Sequence, residues 1–314
     1  MEVLKKISIL SIAGIMFSCG GNNNSKDLDT PAKGDIIVAV DESFKPIIDA
    51  EKTAFMEMYK YTKINAVYKP ENEAIADMLN DKARIAVVTR ELNEKEKKIF
   101  TDQQISYRSY RIAADGIALI TNKSNQDTLI SVNDLEALMK GTKKKWSDIV
   151  QGGSGEDVVL VFDNINSSNL TFLMNKFGIS TKAKIPIYAA KSNQEVIEYV
   201  KTHSNAIGVI GNNWVSDGDD PASLGFIRSI NVMSVTEAKN PRKEDYYQPF
   251  GYNLALKKYP LRREIRGILK EAHMGLGTGF INYMCGDAGQ LIALKGGLIP
   301  LTRPINIRPV QINN

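Results

Sequence analysis

The 314-residue sequence predicts an α/β architecture with mostly parallel sheets, divided between two lobes. Three observations carry this expectation. Continuous apolar runs at 36–40, 85–88 and 158–162 suit strands buried on both faces. Each run feeds a polar loop and then a helix start, the recurring unit of such folds. The third observation is the stretch 111–121, RIAADGIALIT, in which two short apolar runs flank one Asp-Gly. Local chemistry leaves two readings of it: a hairpin with a two-residue turn, or one extended segment crossing between lobes with Asp115 exposed where they meet. The other strand-end loops favour the crossing, because three of them suit the wall of a shared cleft.

The chain opens with a targeting segment, expected over 1–18. Lys5 and Lys6 form a basic start, and 7–17 is an apolar run too short to span a bilayer. Ser18-Cys19-Gly20 resembles a bacterial lipobox, with Cys19 the residue that would carry the lipid; an ordinary secretory signal is the alternative. Residues 19–34, rich in Asn, Asp and Thr, read as a flexible tether. No other stretch approaches about eighteen unbroken apolar residues, so no transmembrane helix is expected. Cys285 is then the one remaining cysteine, which excludes an internal disulfide and suits a small core residue. The net charge of +4, from 40 basic and 36 acidic residues, has no basic run broader than Lys143-Lys144-Lys145. That balance argues against nucleic acid as a partner.

After the strand at 36–40 comes the loop Asp41-Glu42-Ser43-Phe44, and Pro46 suits the first turn of the helix that follows. Ile47, Ile48, Glu51, Ala54, Phe55 and Met58 recur at helical spacing, with Glu51 the polar exception. Val67-Tyr68 start a second strand, 74–79 a second helix, and 85–88 a strand ending in Thr89-Arg90. Asn93 with Glu96 forms a capping box. Ser131 and Asp134 begin a helix that Gly141 closes, and Trp146 and Ile149 form a short amphipathic turn. The strand 158–162 leads into 163–169, and the helix after it ends at Gly178. Ser192 with Glu195 starts another helix. Residues 206–210 read as a strand broken by Gly208, 226–232 as a further strand, and 252–256 as the strand that crosses back. Helices at 280–284 and 291–294 complete the chain.

Catalytic equipment is sparse. The sequence holds only His203 and His273, neither near another plausible metal ligand, and no metalloprotease, nucleophile-elbow or phosphate-loop motif. The glycine cluster 152–155 reads as a turn. No cofactor, metal or catalytic residue is therefore expected, and the chain is read as a binding protein, not an enzyme. Hydrogen-bonding residues recur instead at strand ends: Ser43, Thr89, Arg90, Asp115, Ser167, Ser168 and Asn169. Each alone suits a helix cap or a turn; their recurrence in four similar loops points to a shared site.

The motifs ARIAVVTREL (83–92), AADGIALITN (113–122), LEALMKGTKKKWSDI (135–149), NINSSN (164–169), NAIGVIG (205–211) and GQLIALKGGLIPL (289–301) occur in an order that resembles the PstS-type phosphate-binding proteins of ABC phosphate-uptake systems. The resemblance implies a type II periplasmic-binding-protein fold, two α/β lobes with a ligand cleft between them. The implied lobes are 35–113 with 246–314, and 116–240. Inorganic phosphate is the implied ligand, an ABC permease the implied partner, and a lipid-anchored monomer outside the cytoplasmic membrane the implied form. The implied ligand-binding set is Ser43, Phe44, Thr89, Arg90, Asp115, Ser167, Ser168 and Asn169, with Arg90 giving a phosphate its forked hydrogen bonds. Three residues depart from the family pattern. Asp41 and Glu42 stand where small hydroxyl residues are usual, and Asp163 stands near the place of a second arginine. A related module for another ligand, a sensor, or a surface phosphoesterase are the alternatives.

Overall fold

The computed structural model describes residues 28–180, 185–218 and 221–304. The targeting segment and Cys19 lie outside the described residues. Among the described residues no helix is long and apolar enough to cross a membrane.

The first lobe opens with β1 (Lys33–Asp41), α1 (Lys45–Met58), β2 (Tyr61–Lys69), α2 (Glu71–Leu79), β3 (Ile85–Val88) and α3 (Glu94–Asp102). β2 begins at Tyr61, earlier than its apolar residues signal, because it forms the sheet edge and alternates exposed with covered positions. β1 pairs with β2 and β3 in parallel, and Val38 and Val40 are fully buried between them and the covering helices. Full burial of such side chains contributes roughly 1.5–3 kcal/mol each. Asn93 caps α3 through the expected box with Glu96.

β4 (Arg108–Asn122) is one continuous strand, which excludes the Asp-Gly hairpin. Residues up to Gly116 pair with β11 (below), and from Ile117 the strand pairs with β8 of the second lobe. The Asp-Gly pair therefore marks the point where the strand changes lobes. Asp115 is fully buried there, not exposed as the sequence suggests.

The second lobe continues with β5 (Leu129–Ser131), α4 (Val132–Met139), α5 (Trp146–Ile149), β6 (Val159–Phe162), α6 (Ser168–Lys176), β7 (Ile187–Ala189), α7 (Asn193–Thr202) and β8 (Ala206–Gly211). β7, β6 and β8 are parallel. Gly208 does not break β8. A Cβ there would lie 2.8 Å from Ile120, Val196 and Val200 side-chain carbons, so the glycine lets α7 pack directly on the sheet. Then come α8 (Pro221–Ser229), β9 (Ile230–Val232), β10 (Ser234–Thr236) and α9 (Gly251–Ala255). Two expectations fail here. Most of 226–232 is helical, and 252–256 is helical instead of being the return strand.

The return is made by β11 (Arg262–Leu269), followed by α10 (Leu276–Cys285), α11 (Asp287–Lys295) and β12 (Ile299–Pro300). β11 lies antiparallel to both β3 and β4. The strand path is thus β2-β1-β3-β11-β4-β8-β6-β7, with β9 and β12 also on β4. Each outer set is parallel, and the crossing strands between them are antiparallel, so the sheets are mixed and not mostly parallel. Separate apolar cores sit on either side of the crossing, one around Val40, Phe55 and Phe280, the other around Leu135, Trp146 and Phe162. Glu51 lies buried on α1 with neither carboxylate oxygen hydrogen-bonded, and burial pushes its carboxyl up to about 9.

Candidate functional site

Four loops and the two crossing strands deliver polar side chains to one enclosed place between the lobes. β1 ends in a 3₁₀ turn that Asp41 caps by accepting from the Ser43 backbone N–H at 2.9 Å. The turn exposes the Ser43 hydroxyl to the second lobe and buries the Phe44 ring beneath it. The Ser43 carbonyl accepts hydrogen bonds from Asn213 Nδ2 (2.9 Å) and Trp214 Nε1 (3.0 Å) in the turn after β8. Gly211 permits that approach, since a Cβ there would lie 2.9 Å from the same carbonyl oxygen.

From the other side, Ser167 caps α6 by accepting from the Asn169 N–H at 3.1 Å, and its hydroxyl donates to Asp163 at 2.5 Å. The Ser168 hydroxyl stands 3.3 Å from that of Ser43, and Asn169 Nδ2 donates to Ser43 (3.2 Å) and to Asp163 (3.3 Å). Glu42 accepts from the backbone N–H and the side-chain amide of Asn193 at the start of α7.

At the centre lies an arginine that sequence reasoning missed. Arg263 pairs in register with Asp115 across the crossing strands. Its Nε and Nη2 donate to Asp115 Oδ2 at 3.1 and 3.0 Å, and Nη1 donates to Ser168 at 3.0 Å. Its guanidinium rests on the Phe44 ring, 4.8 Å from the centroid. The signal was present in the sequence. Leu261, Arg263 and Ile265 share the inward phase of a strand whose Arg262, Glu264 and Arg266 point outward, so a charge stands in the buried register. Assigning the return strand to 252–256 hid it. Asn193, Asn213 and Trp214 were also missed, and each looked like an ordinary loop or cap residue.

The structure thus brings together Ser43, Phe44, Asp115, Ser167, Ser168 and Asn169. Thr89 and Arg90 are engaged elsewhere. The Thr89 N–H and hydroxyl both donate to Glu71 Oε1 at 2.6 Å. Arg90 forks onto Glu96 at 2.8 Å through each terminal nitrogen, so it is Arg263, not Arg90, that supplies the guanidinium of the cluster. Thr89 and Arg90 line an adjoining cavity of about 340 Å³ with Thr171, Lys176 and Arg262.

The electrostatics of the cluster are acidic. Burial, reinforced by Glu71 and Asp163, pushes Asp41 up to about 7, and burial pushes Glu42 up to about 8. Asp163 is raised by burial against the hydrogen bonds from Ser167 and Asn169. Asp115 is raised by burial and opposed by Arg263. Like charges about 4 Å apart repel by about 4 kcal/mol at an effective dielectric near 20, which is why enclosed carboxyls hold protons. Neither histidine takes part: His203 stacks on Tyr199, and His273 contacts Asp29. Among the described residues no group of His, Cys, Asp and Glu could hold a metal ion.

Comparison with known proteins gives consistent results. A family profile described as a PBP superfamily domain matches residues 25–288. The phosphate-binding protein PstS of Staphylococcus aureus is 23% identical over 238 residues, covering 74% of this chain and 71% of its own. A Clostridium perfringens protein solved with bound phosphate superposes with a TM-score of 0.71 at 21% identity, covering 85% of this chain and 100% of its own. An ABC-type phosphate transport receptor from Vibrio cholerae gives 0.61 at 18% identity, covering 84% and 99%.

Proposed function

Because the chain belongs to the PBP superfamily, we propose that it is an extracytoplasmic solute-binding protein that holds inorganic phosphate between its lobes and delivers it to an ABC-type permease. The observation that carries this reading is the inter-lobe cluster centred on Arg263. Hydroxyls of Ser43 and Ser168, the Asn169 amide and the guanidinium converge from both lobes. The N-terminus of α6, where Ser167 caps the Asn169 N–H, adds the positive end of a helix dipole. A phosphate seated there exchanges the hydroxyl and amide contacts for charge-assisted ones, which are about twice as strong, and takes the Arg263 N–H now given to Ser168. Asp115 accepts from a protonated phosphate oxygen and repels fully ionised sulfate.

The division of the lobes at 35–113 with 246–314, and 116–240, is part of the proposal. The exchange of partners along β4 at Gly116–Ile117 supports the first boundary, whereas Leu254, Tyr259 and Leu261 pack into the core of the second lobe and move the second boundary towards β11. Attachment through a lipid on Cys19 is also part of the proposal, supported by the basic start, short apolar run and small residue before the cysteine. We read the protein as a monomer that performs no catalysis, since its hydroxyls are bonded to one another and to carboxylates without a histidine base.

Calorimetric titration of the purified chain with phosphate, arsenate and sulfate tests the reading. Phosphate and arsenate are expected to bind and sulfate to bind far more weakly. Equal affinity for all three, or binding of none at millimolar concentration, would remove phosphate as the ligand.

A further inference from the structure

The cluster holds more buried acid than a site for a doubly charged anion can tolerate. Arg263 is the one guanidinium hydrogen-bonded within it among the described residues, and Asp115 already takes two of its N–H groups. Asp41 faces Glu71 from α2, Asp163 from the loop before α6, and Arg263 from β11. Asp163 faces Glu42 and Asp41 across the lobes, with Ser167, Asn169 and Arg263 as its favourable neighbours. Asp41 is 1% and Asp163 4% exposed, so solvent screens neither.

The unmet hydrogen-bonding capacity has the same sense. Asn169 Oδ1 and Asn213 Oδ1 are buried and accept nothing, while the amide nitrogens of both residues are used. An enclosed site with spare acceptors and surplus carboxyls complements a solute that brings hydrogens. A bare oxyanion brings only further acceptors.

We propose that this site takes its solute together with protons, so that phosphate is held as the singly charged dihydrogen ion, and that Asp41 and Asp163 impose that choice. The inference rests on the phosphate reading for the identity of the ligand but not for the state of the carboxyls. The protons come from solvent: the dihydrogen ion donates its O–H groups to the spare acceptors, and the proton that neutralises the acidic pair stays on Asp41 or Asp163. The raised Asp41 and Asp163 carboxyls agree with this. The sign follows from linkage. Carboxyls raised by burial are neutral below their folded-state range and charge as pH rises through it, so anion affinity falls as pH rises through about 7.

The experiment is calorimetry of the full chain with inorganic phosphate at pH 6 and pH 8, in buffers of differing ionisation enthalpy. Net uptake of about two protons per phosphate is expected at pH 8, one by the anion itself and one by the acidic pair, with affinity about fiftyfold higher at pH 6, of which the anion's own titration supplies about sevenfold. Asp163→Asn should tighten binding at pH 8, lower the uptake to about one proton and reduce the pH dependence to that of the anion alone; Asp41→Asn is the second variant should the first fail to fold. Proton release, or tighter binding at pH 8 in the wild type, overturns the proposal. The infrared carboxylic-acid band of the ligand-free protein separates the two ideas. If phosphate binds at neither pH while a band assigned by these variants is present at pH 6 and fades by pH 8, phosphate is the wrong ligand and the protonated site stands for another hydrogen-bearing solute. Absence of the band in the wild type overturns the proposal whatever binds.

Discussion

Replacing Arg263 by methionine keeps most of the side chain's length over Phe44 and removes the charge that neutralises Asp115. Breaking a buried pair by removing one partner leaves an uncompensated charge and costs about 3–5 kcal/mol. Arg263→Met should therefore lower the urea midpoint strongly, and it should abolish phosphate binding. Arg90→Ala is the contrasting case. Its fork onto Glu96 is partly solvated, and a bidentate pair of this kind contributes more than the about 0–1 kcal/mol of an open surface pair but less than a fully buried one. Stability should fall modestly while phosphate affinity stays near wild type, and a large loss of affinity in calorimetry would restore Arg90 to the site. These two arginines also mark what the sequence could disclose about the cluster. Ser43 and 167–169 were legible because each stands at an element boundary visible in the pattern, and Asp115 because a single Asp-Gly interrupts two apolar runs. For Arg263 the alternation of 261–266 shows its burial but not its partner, because register with Asp115 is a property of two strands separated by almost half the chain.

At the scale of elements, apolar runs and caps disclosed β1, β2, β3, β6 and β8 and most of the helices, whose stabilising patterns are local, but not the three-residue parallel strands β5, β7 and β10. The failures share a cause. In 226–232 and 252–256 an apolar stretch was too short to distinguish strand from helix, and tertiary packing decided. Gly208 was misread for a related reason, since sequence shows a missing side chain but not the neighbour that occupies its place. Gly208→Ala should test this. The added methyl meets three branched side chains at 2.8 Å, so α7 must shift from β8, and overpacking of this kind costs about 1–3 kcal/mol. Thermal or urea denaturation measures it; an unchanged midpoint would mean that the helix can yield at no cost.

For the molecule as a whole, the lobes meet through β4 and β11, a two-stranded antiparallel ribbon, and through side-chain bonds across the cleft. Those bonds, among them Asn213 and Trp214 to the Ser43 carbonyl and Asn193 to Glu42, break when the lobes separate. A ribbon that bends while keeping its own ladder would make closure a hinge motion, the response expected on binding. Small-angle scattering should show a smaller radius of gyration with saturating phosphate than without, and an identical profile would argue against hinged capture. The same ribbon governs how the protein is made. The first lobe begins with β1, yet its sheet lacks β11 until residue 269 and β12 until residue 300 has been synthesised, whereas 117–236 supplies most of the second lobe's strands in one uninterrupted stretch. Pairings between segments so far apart form slowly, because loop closure must precede any stabilising contact. Until then β3 presents an unpaired edge, so the first lobe is the last to finish folding and the more exposed to aggregation on the way.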